Sequence, residues 1–104
     1  AHDNDRYETG GLVIDIRQHQ VLLADRPVHL TPVEFKLLAA LSRGRGKVIT
    51  HRQLLREVWG PLHEEDSHYL RIYMRQLRGK LESDPAQPRF LLTEPGVGYR
   101  LSSE

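Results

Sequence analysis

The chain has 104 residues, 38% of them hydrophobic and 28% charged, with a net charge of +1 and no cysteine. That length suits one domain with a modest core. It excludes a disulfide scaffold, and the sequence holds no apolar run near the ~18 residues of a membrane span and no signal peptide, so a soluble, cytoplasmic chain is expected.

The charge is unevenly placed. Residues 1–30 carry a net of −2, and residues 71–100 carry a net of +3. Basic charge is thus concentrated in the C-terminal half, as in nucleic-acid binders.

Residues 1–6 are polar and read as the end of a linker. Gly10-Gly11 marks a turn, after which Leu12, Ile14 and Ile16 alternate with Val13, Asp15 and Arg17 as in a half-buried strand. Val21-Leu22-Leu23 and Val28-His29-Leu30 read as two further strands, with room for one more near Tyr7. Together they predict a small antiparallel sheet.

Thr31-Pro32-Val33-Glu34 is a helix start, with Thr31 as cap, Pro32 at the first position and Glu34 closing a capping box. This helix is expected to reach about Ser42 and to stop at Gly44 and Gly46. Lys47-Val48-Ile49 is a short extended link. Thr50-His51-Arg52-Gln53 reads as a second capping box before a helix that packs Leu54, Leu55, Val58 and Trp59. Gly60-Pro61 ends it.

Residues 61–66 are a loop whose three acids, Glu64, Glu65 and Asp66, precede the next helix, where negative charge favours the dipole and Asp66 suits an N-cap. The loop is longer than the 3–4 residues of a helix-turn-helix turn, which also suggests a partner-facing segment.

In the next stretch, from Ser67 to Glu82, Leu70, Met74, Leu77 and Leu81 recur at helical spacing and form one apolar stripe. The opposite face holds His68, Ile72, Arg75, Gln76 and Gly79, with Arg71 and Arg78 on one flank, Tyr69 and Lys80 on the other, and Tyr73 nearer the core. A helix with a greasy inner stripe and donors outside suits a DNA major groove, although a solvated amphipathic helix has the same look. The surrounding elements favour the groove. Arg89–Thr93 and Tyr99–Leu101 read as strands around a tip at Glu94-Pro95-Gly96-Val97-Gly98. Two helices and a hairpin make a winged helix-turn-helix, in which the second helix enters the major groove and the hairpin lies beside it. The expected fold is α+β: an N-terminal antiparallel sheet, three helices and a C-terminal hairpin wing.

Several motifs occur in order: Leu30-Thr31-Pro32-x-Glu34-Phe35-x-Leu37-Leu38, Gln53-Leu54-Leu55 with Val58-Trp59-Gly60, Leu77-Arg78-x-Lys80-Leu81-Glu82, and Gly96-x-Gly98-Tyr99-Arg100. From Leu12 to Leu101 the chain resembles the C-terminal effector domains of OmpR/PhoB-type response regulators. His68-Tyr69-Leu70-Arg71-Ile72-Tyr73-Met74, with Trp59-Gly60-Pro61 and Ser67, is similar to the branch that controls a high-affinity potassium-transport operon. The resemblance implies a receiver domain outside this chain, phosphorylated by a sensor histidine kinase. It also implies binding to direct repeats of double-stranded DNA as a head-to-tail homodimer, and contact between RNA polymerase and Pro61, Leu62, His63, Glu64 and Glu65.

On that reading the DNA-binding residues are His68, Tyr69, Arg71, Ile72, Tyr73, Arg75, Gln76, Arg78 and Arg100. Arg71 and Arg78 are placed to grip phosphates, Ile72 to meet a thymine methyl, Gln76 to pair with adenine, and Arg75 to reach guanine or phosphate. The family commonly has an Arg at the wing tip where this chain has Pro95 after Glu94, which leaves Arg100 as the wing's phosphate contact.

Two other classes fit the residues less well. An enzyme lacks support, because none of the six histidines joins a HExxH or Cys/His cluster and no nucleophile–base pair can be assembled. No cofactor or metal is expected. A winged helix used only for protein contacts would not need Arg71, Arg75 and Arg78 on its outer face.

Overall fold

The computed structural model describes residues 5–103. Four N-terminal strands, β1 (Arg6–Thr9), β2 (Leu12–Asp15), β3 (Gln20–Leu23) and β4 (Arg26–Pro27), form an antiparallel sheet in that order. Three helices follow: α1 (Pro32–Arg43), α2 (His51–Trp59) and α3 (Ser67–Leu81). Between α1 and α2 lies β5 (Ile49–Thr50), and after α3 come β6 (Leu91–Glu94) and β7 (Gly98–Leu101). These three strands make a second antiparallel sheet in the order β5-β7-β6. The expected α+β winged helix-turn-helix, with its N-terminal sheet and C-terminal hairpin, is the fold observed.

Alternation places Leu12, Ile14, Val21 and Tyr7 under the helices, where they join Leu37, Leu38, Leu41, Leu54, Leu55, Leu70, Met74, Leu77 and Leu81 in one core. Burying each such side chain contributes about 1.5–3 kcal/mol relative to leaving it exposed. The inner stripe of α3 is 0–1% exposed at all four predicted positions, so the helix has the rotation its spacing implies.

Several boundaries differ from expectation. The linker reading of residues 1–6 falls mostly on residues 1–4, which lie outside the described residues, but Arg6 opens β1. The strand expected at Val28–Leu30 is not formed: β4 is only Arg26–Pro27, and the Val28 N–H adds a single further bond to the Val21 carbonyl at 2.9 Å. The chain leaves the sheet there to reach the α1 cap, and the His29 carbonyl accepts from Lys80 Nζ at 3.2 Å instead. β6 begins at Leu91 rather than Arg89, and the N–H groups of Arg89 and Phe90 go to the Glu82 carboxylate instead of a strand partner.

Of the two capping boxes, the first is complete. The Glu34 N–H donates to Thr31 Oγ1 at 3.3 Å and the Thr31 N–H donates to Glu34 Oε1 at 2.9 Å. At α2 only the first half forms, with the Gln53 N–H donating to Thr50 Oγ1 at 3.1 Å. Asp66 precedes α3 but makes no side-chain cap bond; its carboxylate is taken by His63 Nδ1 at 2.8 Å.

Two wing glycines have separate reasons. Gly96 turns the hairpin with φ of +75°, a region that side chains disfavour. Gly98 faces Thr50 in the β5–β7 ladder, and a Cβ there would run into the Ile49 carbonyl.

Glu34 also ties α1 to α3. Its side chain is 2% exposed and Lys80 Nζ lies 2.6 Å from Oε1. Burial works to raise the Glu34 pKa, but the Lys80 hydrogen bond and charge, with the two Thr31 bonds, outweigh it, and the pKa lies below its ordinary value of 4.5. A depressed carboxylate stabilises the fold above its unfolded pKa and loses that contribution as pH falls through the folded value. Glu34→Gln is therefore expected to cost about 1–3 kcal/mol at pH 7, with the water-exposed end of Lys80 pulling toward the lower figure. Denaturant titrations at stepped pH should show the variant and the parent converging as pH falls from the ordinary carboxylate value through the lower folded pKa of Glu34.

Candidate nucleic-acid interface

The inner stripe of α3 fixes what its outer face presents. His68, Arg71, Ile72, Arg75 and Gln76 line one open depression on the protein surface. Ile72 is 40% exposed, and among the described residues Arg71, Arg75 and Gln76 have no hydrogen-bond or ion-pair partner. Two free guanidinium groups thus run beside an apolar side chain and an amide, which is a mixture that can meet phosphates and base edges together.

Tyr69 and Tyr73 have a shared role. Trp59, at the end of α2, stacks on Tyr69 with centroids 6.2 Å apart and tilts against Tyr73 at 5.4 Å. The two tyrosines therefore set the angle between α2 and α3 while Tyr69 stays exposed.

The remaining cations are not free. Arg78 Nε and Nη2 donate to the Leu91 carbonyl at 3.1 and 2.8 Å, Nη2 also donates to Thr93 Oγ1 at 2.7 Å, and the group lies 5.7 Å from the Tyr99 ring centroid. Arg78 is thus folded onto the wing, whereas helical spacing alone put it on the outer flank. Lys80 is spent on Glu34 and His29, so Arg71 and Arg75 carry the outward charge of α3. Arg100 pairs through Nε with Glu94 Oε2 at 2.9 Å across the hairpin. Its terminal nitrogens have no partner among the described residues, and the tip itself presents Pro95, Gly96 and Val97.

The α2–α3 loop is tied down. Pro61–His63 form a 3-10 turn, and Glu64 forms ion pairs with Arg52, Nε to Oε1 at 3.2 Å, and with Arg56, Nε to Oε2 at 3.8 Å. The N-terminal placement of Glu64 thus serves two α2 arginines. Sequence reading missed this latch, and it missed the role of Glu82. The Glu82 side chain is buried and accepts from the backbone N–H groups of Arg89, Phe90 and Leu91 at 2.7–3.2 Å. A lone Glu at a helix end gives no sign of partners seven to nine residues away. Among the described residues no group of three or more His, Asp or Glu is placed to hold a metal, and no helix is long and apolar enough to cross a membrane.

A three-helix core, an exposed donor-bearing second helix of a helix-turn-helix, and a hairpin packed beside it define the winged-helix class of DNA-binding domain. The family model "Transcriptional regulatory protein, C terminal" matches residues 25–101, and the chain belongs to that family, as a DNA-binding effector domain of the OmpR/PhoB type. It is a family of transcription regulators, not of enzymes. The chain is 55% identical over 89 residues to the KDP operon transcriptional regulatory protein KdpE of Escherichia coli, covering 86% of this chain and 40% of that protein. It is 41% identical over 91 residues to the DNA-binding response regulator MtrA of Mycolicibacterium smegmatis, covering 88% of this chain and 40% of that protein. The response regulator DrrB, an OmpR/PhoB homologue of Thermotoga maritima, superposes with a TM-score of 0.81 at 33% identity, over 94% of this chain and 44% of DrrB. The chain thus spans about two-fifths of the length of these relatives.

The geometry separates Ile72 and Arg78 in a thermal melt. Ile72→Ala should leave stability within about 0.5 kcal/mol of the parent, as at an ordinary surface position. Arg78→Ala should cost about 1–3 kcal/mol through the lost wing bonds. A melting temperature lowered by Ile72→Ala as far as by Leu77→Ala, where a buried truncation costs about 2–5 kcal/mol, would mean that α3 is rotated from this orientation.

Proposed function

We propose that this domain is the DNA-reading part of a two-component response regulator that controls a potassium-transport operon. The observation that carries the reading is the free outer face of α3, with Arg71 and Arg75 unpaired along one side of Ile72 and Gln76. In the major groove Ile72 and Gln76 read an A·T-rich step, Ile72 against a thymine methyl and Gln76 in a bidentate pair with adenine. Arg75 sets the register on guanine or phosphate, Arg71 grips the backbone on one flank with His68, and Tyr69 and Tyr73 meet it on the other. Arg100 offers its terminal nitrogens to a phosphate beside the wing. Arg78 shapes the groove by holding the wing through Nε and Nη2, and its Nη1 takes no part in those bonds.

The operon assignment is supported by the likeness to KdpE; the 41% identity to MtrA shows how closely related domains serve regulators of other names. The full protein would carry a receiver domain answering to a sensor histidine kinase. Two copies would sit head to tail on direct repeats spaced by about one helical turn, roughly 10–10.5 base pairs, so that both lie on one face. The loop with Pro61, Leu62, His63, Glu64 and Glu65 would then face RNA polymerase.

Footprinting on the potassium-transporter promoter of the source organism tests this. Protection should cover two repeats in one direction, and affinity should fall steeply with salt, because each neutralised phosphate releases counterion. Arg71→Ala should weaken specific and non-specific binding alike and reduce that slope. Ile72→Ala should cost about 1 kcal/mol at one base pair. Uracil in place of the contacted thymine should cost the parent a similar amount and the variant nothing. Binding with no salt dependence, or protection of an inverted repeat by a stable two-fold dimer, would overturn the reading.

A further inference from the structure

The chain has eight glycines. Five take a positive φ, Gly44 is crowded by the Ile49 side chain, and Gly98 by the Ile49 carbonyl. Gly79 has no such reason. It lies inside α3, three residues before the helix cap at Glu82, and a Cβ added there would meet nothing within 4 Å. Glycine is the least favourable residue other than proline for a helix interior, so the fold itself would be better served by alanine. At about 100° per residue Gly79 points directly away from the stripe of Leu70, Met74, Leu77 and Leu81, in line with Ile72 two turns before it. Its neighbours leave it uncovered. Arg75 and Gln76, one turn before, lean toward the helix N-terminus as helical side chains do. Arg78 is folded onto the wing and Lys80 onto Glu34, on opposite flanks. One turn on, Glu82 is buried at the start of β6 instead of leaning back over Gly79. The outer face of α3 therefore ends in exposed helix backbone.

Resting on the reading of α3 as the helix that enters the major groove, we propose that Gly79 is a specificity-determining position. It is the clearance that lets the C-terminal end of α3 seat against duplex DNA. At a rise of about 1.5 Å per residue, Gly79 lies roughly 10 Å along the helix from Ile72. That is most of the ~12 Å width of the major groove. With Ile72 and Gln76 at base edges, the helix meets one sugar-phosphate wall about where Gly79 faces it. A side chain there would stand between helix and wall and lift Ile72 and Gln76 off the bases. Arg71 and Arg75 would keep their phosphates, because long cations adjust to a shift that a short Ile cannot follow. Phosphate-led binding thus tolerates a side chain at position 79, and base reading does not.

The test measures affinity for the promoter fragment the chain protects and for an unrelated duplex of equal length, at one salt concentration, with a thermal melt of each variant. Gly79→Ala should raise the melting temperature, because it replaces a poor helix former. It should nevertheless weaken promoter binding and leave the unrelated duplex unaffected. Gly79→Lys should weaken promoter binding about tenfold and tighten binding to the unrelated duplex, since its added charge helps only where the helix is not seated. A melting temperature lowered by Gly79→Ala would mean that the fold needs the glycine, and the clearance is overturned. It is overturned equally if Gly79→Lys tightens binding to both duplexes, and the reading by α3 then stands provided that Arg71→Ala still weakens both. If the parent binds the two duplexes alike and Arg71→Ala changes neither, the reading and the clearance fall together.

Discussion

The Glu82 carboxylate, at the end of α3, is the contact on which the arrangement of helix and wing depends. It is buried, and it accepts from the backbone N–H groups of three successive residues, Arg89, Phe90 and Leu91. A buried carboxylate without donors would be costly, and charge-assisted bonds are about twice as strong as neutral ones. Both terms pull in the same direction here. The wing's first strand must start where the helix stops, so the hairpin has one position relative to α3. Arg78, one helical turn earlier, adds a second tie to Leu91 and Thr93.

These ties divide α3 into two functional halves. Its C-terminal half carries the polar braces: Arg78 to the wing, Lys80 to Glu34 and His29, and Glu82 to the start of β6. Its N-terminal half and middle keep an unencumbered outer face, with Arg71, Ile72, Arg75 and Gln76 facing solvent. Only the second group can contact another molecule without breaking a bond the fold uses. The nominal charge of the helix therefore overstates what it presents: two of its four cations are internal fittings.

The same economy recurs on α2. Arg52 and Arg56 lie on its exposed side, yet their partner is Glu64 in the following loop. Single exposed pairs contribute little to stability, and their weight here is positional. Together with the Trp59–Tyr69–Tyr73 cluster they hold the helix-turn-helix angle and the pose of the turn between its helices. The domain thus offers two outward surfaces from one rigid unit, the face of α3 and the apex of the loop.

Periodicity and local chemistry determined a good deal from sequence alone. The apolar steps at Leu70, Met74, Leu77 and Leu81 set the rotation of α3, and hence that Ile72 and Gln76 face outward, because the helical repeat is a property of the backbone. The Thr31–Glu34 capping box placed the start of α1, because both partners lie within one turn. The motifs that resemble the OmpR/PhoB type pointed to the family. Only the tertiary structure decided which charged residues are occupied. Arg78 looked free because its partners are 13 and 15 residues away, Lys80 because Glu34 is 46 residues away, and Glu82 because it meets a strand across a turn. Such pairings depend on where distant segments are brought by the packed core. A period of 3.6 residues says which way a side chain leaves its helix, and nothing about what the rest of the chain has placed there to meet it.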